Sequence, residues 1–130
     1  MEKQKNILIV DDDKSILRIL TRILQKQGYN TATVETGREA EEQINNRPYD
    51  LALIDVKLPD TDGLDLLQTM QSIRPNMIRI ILTGFASMDN GIKALNAGAD
   101  AYLVKPVEPT ELLKILKEKF EERDKIKSKP

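Results

Sequence analysis

Short apolar runs rich in β-branched residues alternate along this chain with longer stretches in which apolar residues recur at helical spacing. That alternation predicts repeated βα units and a parallel sheet, because a strand can pair in parallel with its predecessor only after a crossover. Five units can be placed. The first strand, about Asn6 to Val10, precedes a helical stripe of Ile16, Leu17, Leu20, Ile23 and Leu24 that stops before Gly28. Thr31 to Val34 reads as the second strand, and Thr36-Gly37-Arg38-Glu39 has the capping-box form that opens a helix reaching about Asn45, before Pro48. The third strand, Leu51 to Asp55, runs into a loop with Pro59, Asp60, Asp62 and Gly63, and Leu64, Leu67 and Met70 mark a helix ending before Pro75.

The fourth run, Met77 to Leu82, is apolar except for Arg79 and is closed by Thr83-Gly84. Ile92 and Leu95 then indicate a helix stopping at Gly98, and its interior Gly91, which costs about 1 kcal/mol relative to alanine, makes it the least secure of the five. Ala101 to Val104 forms the last strand, ahead of Lys105-Pro106. Pro109 suits the first turn of a helix carrying Leu112, Leu113, Leu116 and Phe120. After Phe120 the chain becomes polar, so residues 1–124 are expected to form one domain and 125–130 a polar tail or the start of a linker.

At 130 residues the chain suits one core. Charged residues make up 32% of it yet nearly cancel, to a net −1, so no global field favours nucleic acid or an anionic membrane. No cysteine and no histidine is present, which excludes disulfides, thiolate metal sites, Ser-His-Asp and Cys-His catalysis, and a histidine phospho-carrier role for this chain. The apolar run after Met1 to Lys5 is far too short to span a bilayer and resembles no cleavable signal, so a cytoplasmic setting is expected.

Three of the predicted strands end on polar residues: Asp11-Asp12-Asp13, Asp55, and Lys105-Pro106. In an open parallel sheet ligands bind at the carboxyl ends of the strands, where consecutive connections leave in opposite directions; for strand order 2-1-3-4-5 that crevice lies between strands 1 and 3. Carboxylates about 5 Å apart there would repel by roughly 3 kcal/mol per pair at an effective dielectric near 20. A divalent cation would reverse this, and oxygen-only ligands select a hard ion such as magnesium. Asp11, Asp12 and Asp55 against magnesium and Lys105 make a neutral site in which Asp55 can act as a carboxylate nucleophile toward a phosphoryl group. Lys105 and the Thr83 hydroxyl would neutralise its equatorial oxygens. Each residue alone has a duller explanation, as turn, cap or strand end, and Asp13 reads as a helix cap. Their convergence on one sheet edge argues for the chemistry.

The phrases Ile7-Leu8-Ile9-Val10-Asp11-Asp12-Asp13, Asp55-Val56-Lys57-Leu58-Pro59-Asp60-Thr61-Asp62-Gly63, Leu82-Thr83-Gly84, Gly98-Ala99-Asp100-Ala101-Tyr102-Leu103 and Val104-Lys105-Pro106 stand in one order and spacing. In them the chain resembles the receiver domain of two-component response regulators, from about Lys5 to Phe120. The resemblance implies a flavodoxin-like, doubly wound, five-stranded parallel sheet with five helices. It implies that Asp55 accepts a phosphoryl group from the phosphohistidine of a sensor histidine kinase, from a histidine phosphotransfer domain or from a small acyl phosphate. Asp12 and Asp55 would then ligate Mg2+ with the Lys57 backbone carbonyl, and Asp11 would act largely through water. Thr83 and Lys105 would hold the phosphoryl group, and the Lys105-Pro106 bond is expected to be cis. Thr83 and Tyr102 would relay the change to a surface of about residues 88–120. Such a protein is a regulatory phosphoacceptor rather than an enzyme, a monomer or a phosphorylation-dependent homodimer, with no direct nucleic-acid or membrane contact and an output partner that the sequence does not name.

Two other readings compete. A phosphohydrolase of the haloacid dehalogenase type needs a second Asp two residues after the nucleophile, where this chain has Lys57. A pseudo-receiver that only binds proteins would lack part of the acceptor set, which is complete here. The flanking Lys57 and Phe85 place a long cation and a bulky ring near the phosphoryl group, where they would hinder the attacking water. Replacing either with alanine should shorten the phosphorylated lifetime; unchanged rates of phosphate loss would reject this.

Overall fold

A computed structural model of the chain describes residues 4–84 and 88–128, with side chains over 4–84 and 91–125. Five strands and five helices alternate: β1 (Asn6–Val10), α1 (Lys14–Lys26), β2 (Asn30–Val34), α2 (Gly37–Asn46), β3 (Leu51–Asp55), α3 (Gly63–Ile73), β4 (Ile78–Thr83), α4 (Met88–Asn96), β5 (Ala101–Val104) and α5 (Pro109–Ser128). The four strand pairings are parallel, in the order β2-β1-β3-β4-β5. This is the doubly wound, flavodoxin-like arrangement expected, with the chain reversing its winding direction between β1 and β3.

Side-chain alternation along the strands separates two apolar layers. Ile7, Ile9, Leu51, Leu53, Ile80 and Leu82 pack with Leu17, Leu20 and Leu24 of α1 and Leu112, Leu116 and Phe120 of α5. Leu8, Val10, Ala52, Ile54 and Ile81 pack on the other face with Ala40 and Ile44 of α2, Leu66, Leu67 and Met70 of α3, and Ala94 of α4. Every residue of β3 is buried, which explains its unbroken apolar reading up to Asp55.

Local chemistry accounts for the helix ends. Asp13 caps α1 by accepting from the Ser15 and Ile16 amides at 2.9 and 3.4 Å, as its position suggested. Thr36 caps α2 through the Glu39 amide at 3.1 Å, but the Glu39 carboxylate accepts from the Thr36 hydroxyl instead of reaching back to a backbone amide. Gly28 and Gly98 follow α1 and α4 with φ of 89° and 104°, the left-handed region where a side chain would be strained.

Boundaries differ modestly from those expected. β2 begins one residue earlier because Asn30 pairs with Asn6 and donates to the Lys5 carbonyl at 3.0 Å. β4 is shifted by one residue and includes Thr83, since the Met77 amide turns back to the Arg74 carbonyl at 3.1 Å. α5 continues unbroken past Lys125, and its Arg123 bonds the Asp50 carboxylate and carbonyl, both at 3.1 Å. Among the described residues no helix is long and apolar enough to cross a membrane.

Arg79, the charged exception in β4, is buried. Its guanidinium donates to the carbonyls of Arg74, Met77 and Gly98 at 3.0–3.3 Å, collecting backbone acceptors at the C-terminal ends of α3 and α4. Its amide donates to Asp100 at 2.8 Å. Burial pulls the guanidinium pKa down, against the Asp100 charge that raises it. Arg79→Met would take the guanidinium from the Met77 and Gly98 carbonyls and leave the Arg74 carbonyl with the Met77 amide alone, and should cost about 2–4 kcal/mol in urea unfolding. A loss below about 1 kcal/mol would show that water replaces the guanidinium.

Candidate functional site

β1 and β3 pair side by side with Val10 opposite Ile54, so the next residues, Asp11 just past β1 and Asp55 at the end of β3, stand together at the carboxyl edge of the sheet. Asp11, Asp12 and Asp55 each place a carboxylate oxygen within 4.8 Å of the others. Asp11 is fully buried, Asp55 is 7% exposed and Asp12 faces solvent. Lys105, delivered by β5, places its ammonium 2.8 Å from Asp11 Oδ2 and 3.3 Å from Asp55 Oδ1. The Lys105–Pro106 bond is cis, the expected form.

The electrostatics follow from burial. Asp55 has its pKa raised, first by desolvation and then by the Asp11 charge, while Lys105 and the Lys57 amide, which donates to its carboxylate, pull the other way. Desolvation alone would lower Lys105, but contact with Asp11 and the charges of Asp11 and Asp55 more than offset it, and the net shift is upward. Lys105 thus stays a cation. Three carboxylates and one ammonium leave a formal charge of −2 in the pocket, the charge a divalent cation would balance.

The donor set fits a hard cation. Asp11 Oδ1 accepts from the Asp13 amide at 2.9 Å, whereas the buried Oδ2 has, among the described residues, the Lys105 ammonium at 2.8 Å but no aligned hydrogen-bond donor. A buried carboxylate oxygen without an aligned donor, next to two further carboxylates, is a position that favours a metal ion.

Thr83 is buried at the end of β4, paired with Val104, and accepts the Lys105 amide on its carbonyl at 2.7 Å. Lys57 is exposed at the start of the loop after β3, and the Gly63 amide returns to the Val56 carbonyl at 2.7 Å. A Cβ on Gly63 would strike the Asp55 carbonyl and lie 2.8 Å from Val56 Cα, so only glycine lets α3 start this close to the end of β3. Phe85 lies outside the described residues.

Tyr102 stands beside Ile81 in β5, half-buried against the layer shared with α4. A Cβ on Gly91 would come 2.7–2.9 Å from its ring and hydroxyl. Gly91, which read only as a helix weakness, therefore makes the slot occupied by this ring. The sequence also hid Asp60, whose carboxylate accepts from the Gly37 and Arg38 amides at 2.8 and 3.0 Å. A turn aspartate gives no signal of which distant helix it will cap.

Residues 7–117 match the family model of the response regulator receiver domain. The chain is 39% identical over 111 residues to the alginate biosynthesis transcriptional regulatory protein AlgB of Pseudomonas aeruginosa, a match covering 85% of this chain and 25% of that protein. It thus spans about a quarter of the length of the curated relatives it matches. Among solved structures, a CheY-like receiver domain protein from Methanospirillum hungatei is 46% identical with a TM-score of 0.90, covering 95% of this chain and 98% of that one. A response regulator from Burkholderia pseudomallei, solved with a phosphorylated aspartic acid, a calcium ion and citrate, is 29% identical with a TM-score of 0.79, covering 85% and 65%. On this match of sequence and fold, the chain belongs to the response regulator receiver domain family of two-component signalling.

Proposed function

We propose that this chain is a phosphoacceptor switch in which Asp55 takes a phosphoryl group from the phosphohistidine of a sensor histidine kinase or a histidine phosphotransfer domain, or from a small acyl phosphate. The observation carrying this reading is the Asp55 carboxylate set beside two further carboxylates and 3.3 Å from the Lys105 ammonium. A related protein solved with a phosphorylated aspartic acid and a divalent ion supports it.

An Asp55 oxygen attacks phosphorus in line; the new P–O bond forms as the bond to the donor nitrogen or oxygen breaks, and that atom leaves with the electron pair. Lys105 neutralises one equatorial oxygen and the Thr83 hydroxyl meets another. The Lys57 amide lowers the Asp55 pKa as a backbone donor and so favours the charged nucleophile. Mg2+, held by Asp12, Asp55 and the Lys57 carbonyl with Asp11 through water, would supply the remaining charge neutralisation. The position two residues after Asp55 is Lys57, which leaves the dehalogenase-type hydrolase without its second acid.

The product carries new charge beside Thr83 and Lys105. Drawing the Thr83 side chain toward it leaves room behind for the Tyr102 ring to leave its slot at Gly91, shifting α4, β5 and α5 between two arrangements. The output partner reads that surface. Among the relatives named as transcriptional regulators this region makes up about a quarter of the protein, and an output region of that kind is the matching expectation here.

Incubation with acetyl phosphate and magnesium should give a single base-labile phosphoryl adduct by intact mass, absent in Asp55→Asn; an unmodified wild-type chain would defeat the proposal. Gly91→Ala gains about 1 kcal/mol of helix propensity but fills the slot, so the Tyr102 ring should lose its nuclear Overhauser contacts to residue 91 without phosphorylation. Retained contacts would mean the helix yields and the ring does not.

A further inference from the structure

The loop after β3 is tied down on two sides. On the site side the Lys57 amide acts on Asp55 as a backbone donor that lowers its pKa, the Lys57 backbone forms a single antiparallel β-bridge with that of Asp62, and the Leu58 amide closes a turn on the Thr61 carbonyl at 3.3 Å. On the far side Asp60 leaves the turn for another element, taking the Gly37 amide on Oδ1 at 2.8 Å and the Arg38 amide on Oδ2 at 3.0 Å. These two amides begin α2 and have no carbonyl within the helix to reach. Thr36 already serves the Glu39 amide, so Asp60 supplies what the local cap leaves over.

The contact is close as well as polar. A Cβ on Gly37 would strike the Thr61 methyl and come 3.5 Å from Asp60 Oδ1. α2 is a firm partner, because Ala40 and Ile44 are fully buried against the sheet. The first helix amide, then the second, holds the Asp60 carboxyl below the usual carboxylate range, so the charged form makes this tie near neutral pH.

We infer that Asp60 is a positioning residue for phosphoryl acceptance, using the N-terminus of α2 as a fixed point that holds the Lys57 peptide against Asp55. This rests on the reading of Asp55 as the acceptor. The Lys57 peptide would serve the site twice, its amide on the carboxylate and its carbonyl toward the metal. Loosening the turn at Asp60 therefore degrades both.

The test is a magnesium chloride titration of acetyl phosphate labelling, read by intact mass on the full chain, with thermal midpoints measured alongside. Asp60→Ala and Gly37→Ala should each raise the magnesium concentration for half-maximal labelling by about threefold to tenfold, the effect of one or two lost hydrogen bonds, with Asp60→Asn in between. Gly37→Ala keeps every charge and adds helix propensity, so its shift reports the tie and neither field nor unfolding. A lowered thermal midpoint with unchanged magnesium dependence in both variants would make Asp60 a structural cap only. Equal shifts for alanine and asparagine at position 60, with none for Gly37→Ala, would assign the effect to its charge and overturn the tie. If the wild-type chain takes no label at any magnesium concentration, the acceptor reading itself fails; if it labels normally and only the variants fail to shift, this inference alone falls.

Discussion

Three carboxylates share a pocket with one ammonium, and the rest of the molecule is arranged so that this repulsion persists. At separations up to 4.8 Å each carboxylate pair repels by about 3 kcal/mol at an effective dielectric near 20. Lys105, 2.8 Å from Asp11 and 3.3 Å from Asp55, offsets much of this without cancelling it. A flexible chain would relax by turning the carboxylates to water. Here Asp11 follows β1 and Asp55 ends β3, next to residues that are fully buried, and a slip of one residue in either register would send an entire apolar face to the wrong layer. Core packing thus maintains the charge imbalance, and the imbalance creates the demand for a cation and a reactive carboxylate.

The opposite condition holds at α4. Ala94 is the buried apolar residue among its described side chains, Ile92 and Leu95 are about half exposed, and Gly91 gives its room to the Tyr102 ring. Its C-terminal end is fastened through Gly98 to the buried Arg79, and Asp100 just beyond is bonded to the same strand. A helix pinned at one end and lightly packed over its described side chains, residues 91–96, can change position about that end while β4 stays in place. Fixed acids and a loosely held helix are thus joined through two neighbouring strands.

Much of this was legible in the sequence because strand runs, helical stripes and caps are local signals. The central strand β3 was clear since burial on both faces leaves an uninterrupted apolar run, and Asp55 stood out at its end. Boundaries moved by a residue at β2 and β4, where Asn30 gained a pairing partner and Met77 was drawn into a turn by Arg74, effects that depend on the neighbouring chain. Arg79 was visible only as a charge in an apolar run, and Asp60 only as a turn residue. What each does is set by carbonyls and amides from distant segments, and no spacing rule carries that information. Gly91 was read for its cost to a helix, while the reason for it lies in a ring eleven residues later.

The magnitudes also fit together. Moving a two-state equilibrium from mostly one form to mostly the other requires about 5 kcal/mol of differential stabilisation. A helix buried as thoroughly as α3, with Leu66, Leu67 and Met70 in the core, would resist by several such side chains at about 2 kcal/mol or more each, beyond what one new charge could overcome. α4, with a small buried residue and an interior glycine, sets a much lower barrier to change. A phosphoryl group placed where Lys105 and Thr83 can meet it supplies charge-assisted hydrogen bonds of about that size. On the proposed reading, the weakness in the fourth helix is therefore matched to the strength of the signal that the acidic edge would generate, and a better-packed α4 would leave a phosphorylated chain unable to respond.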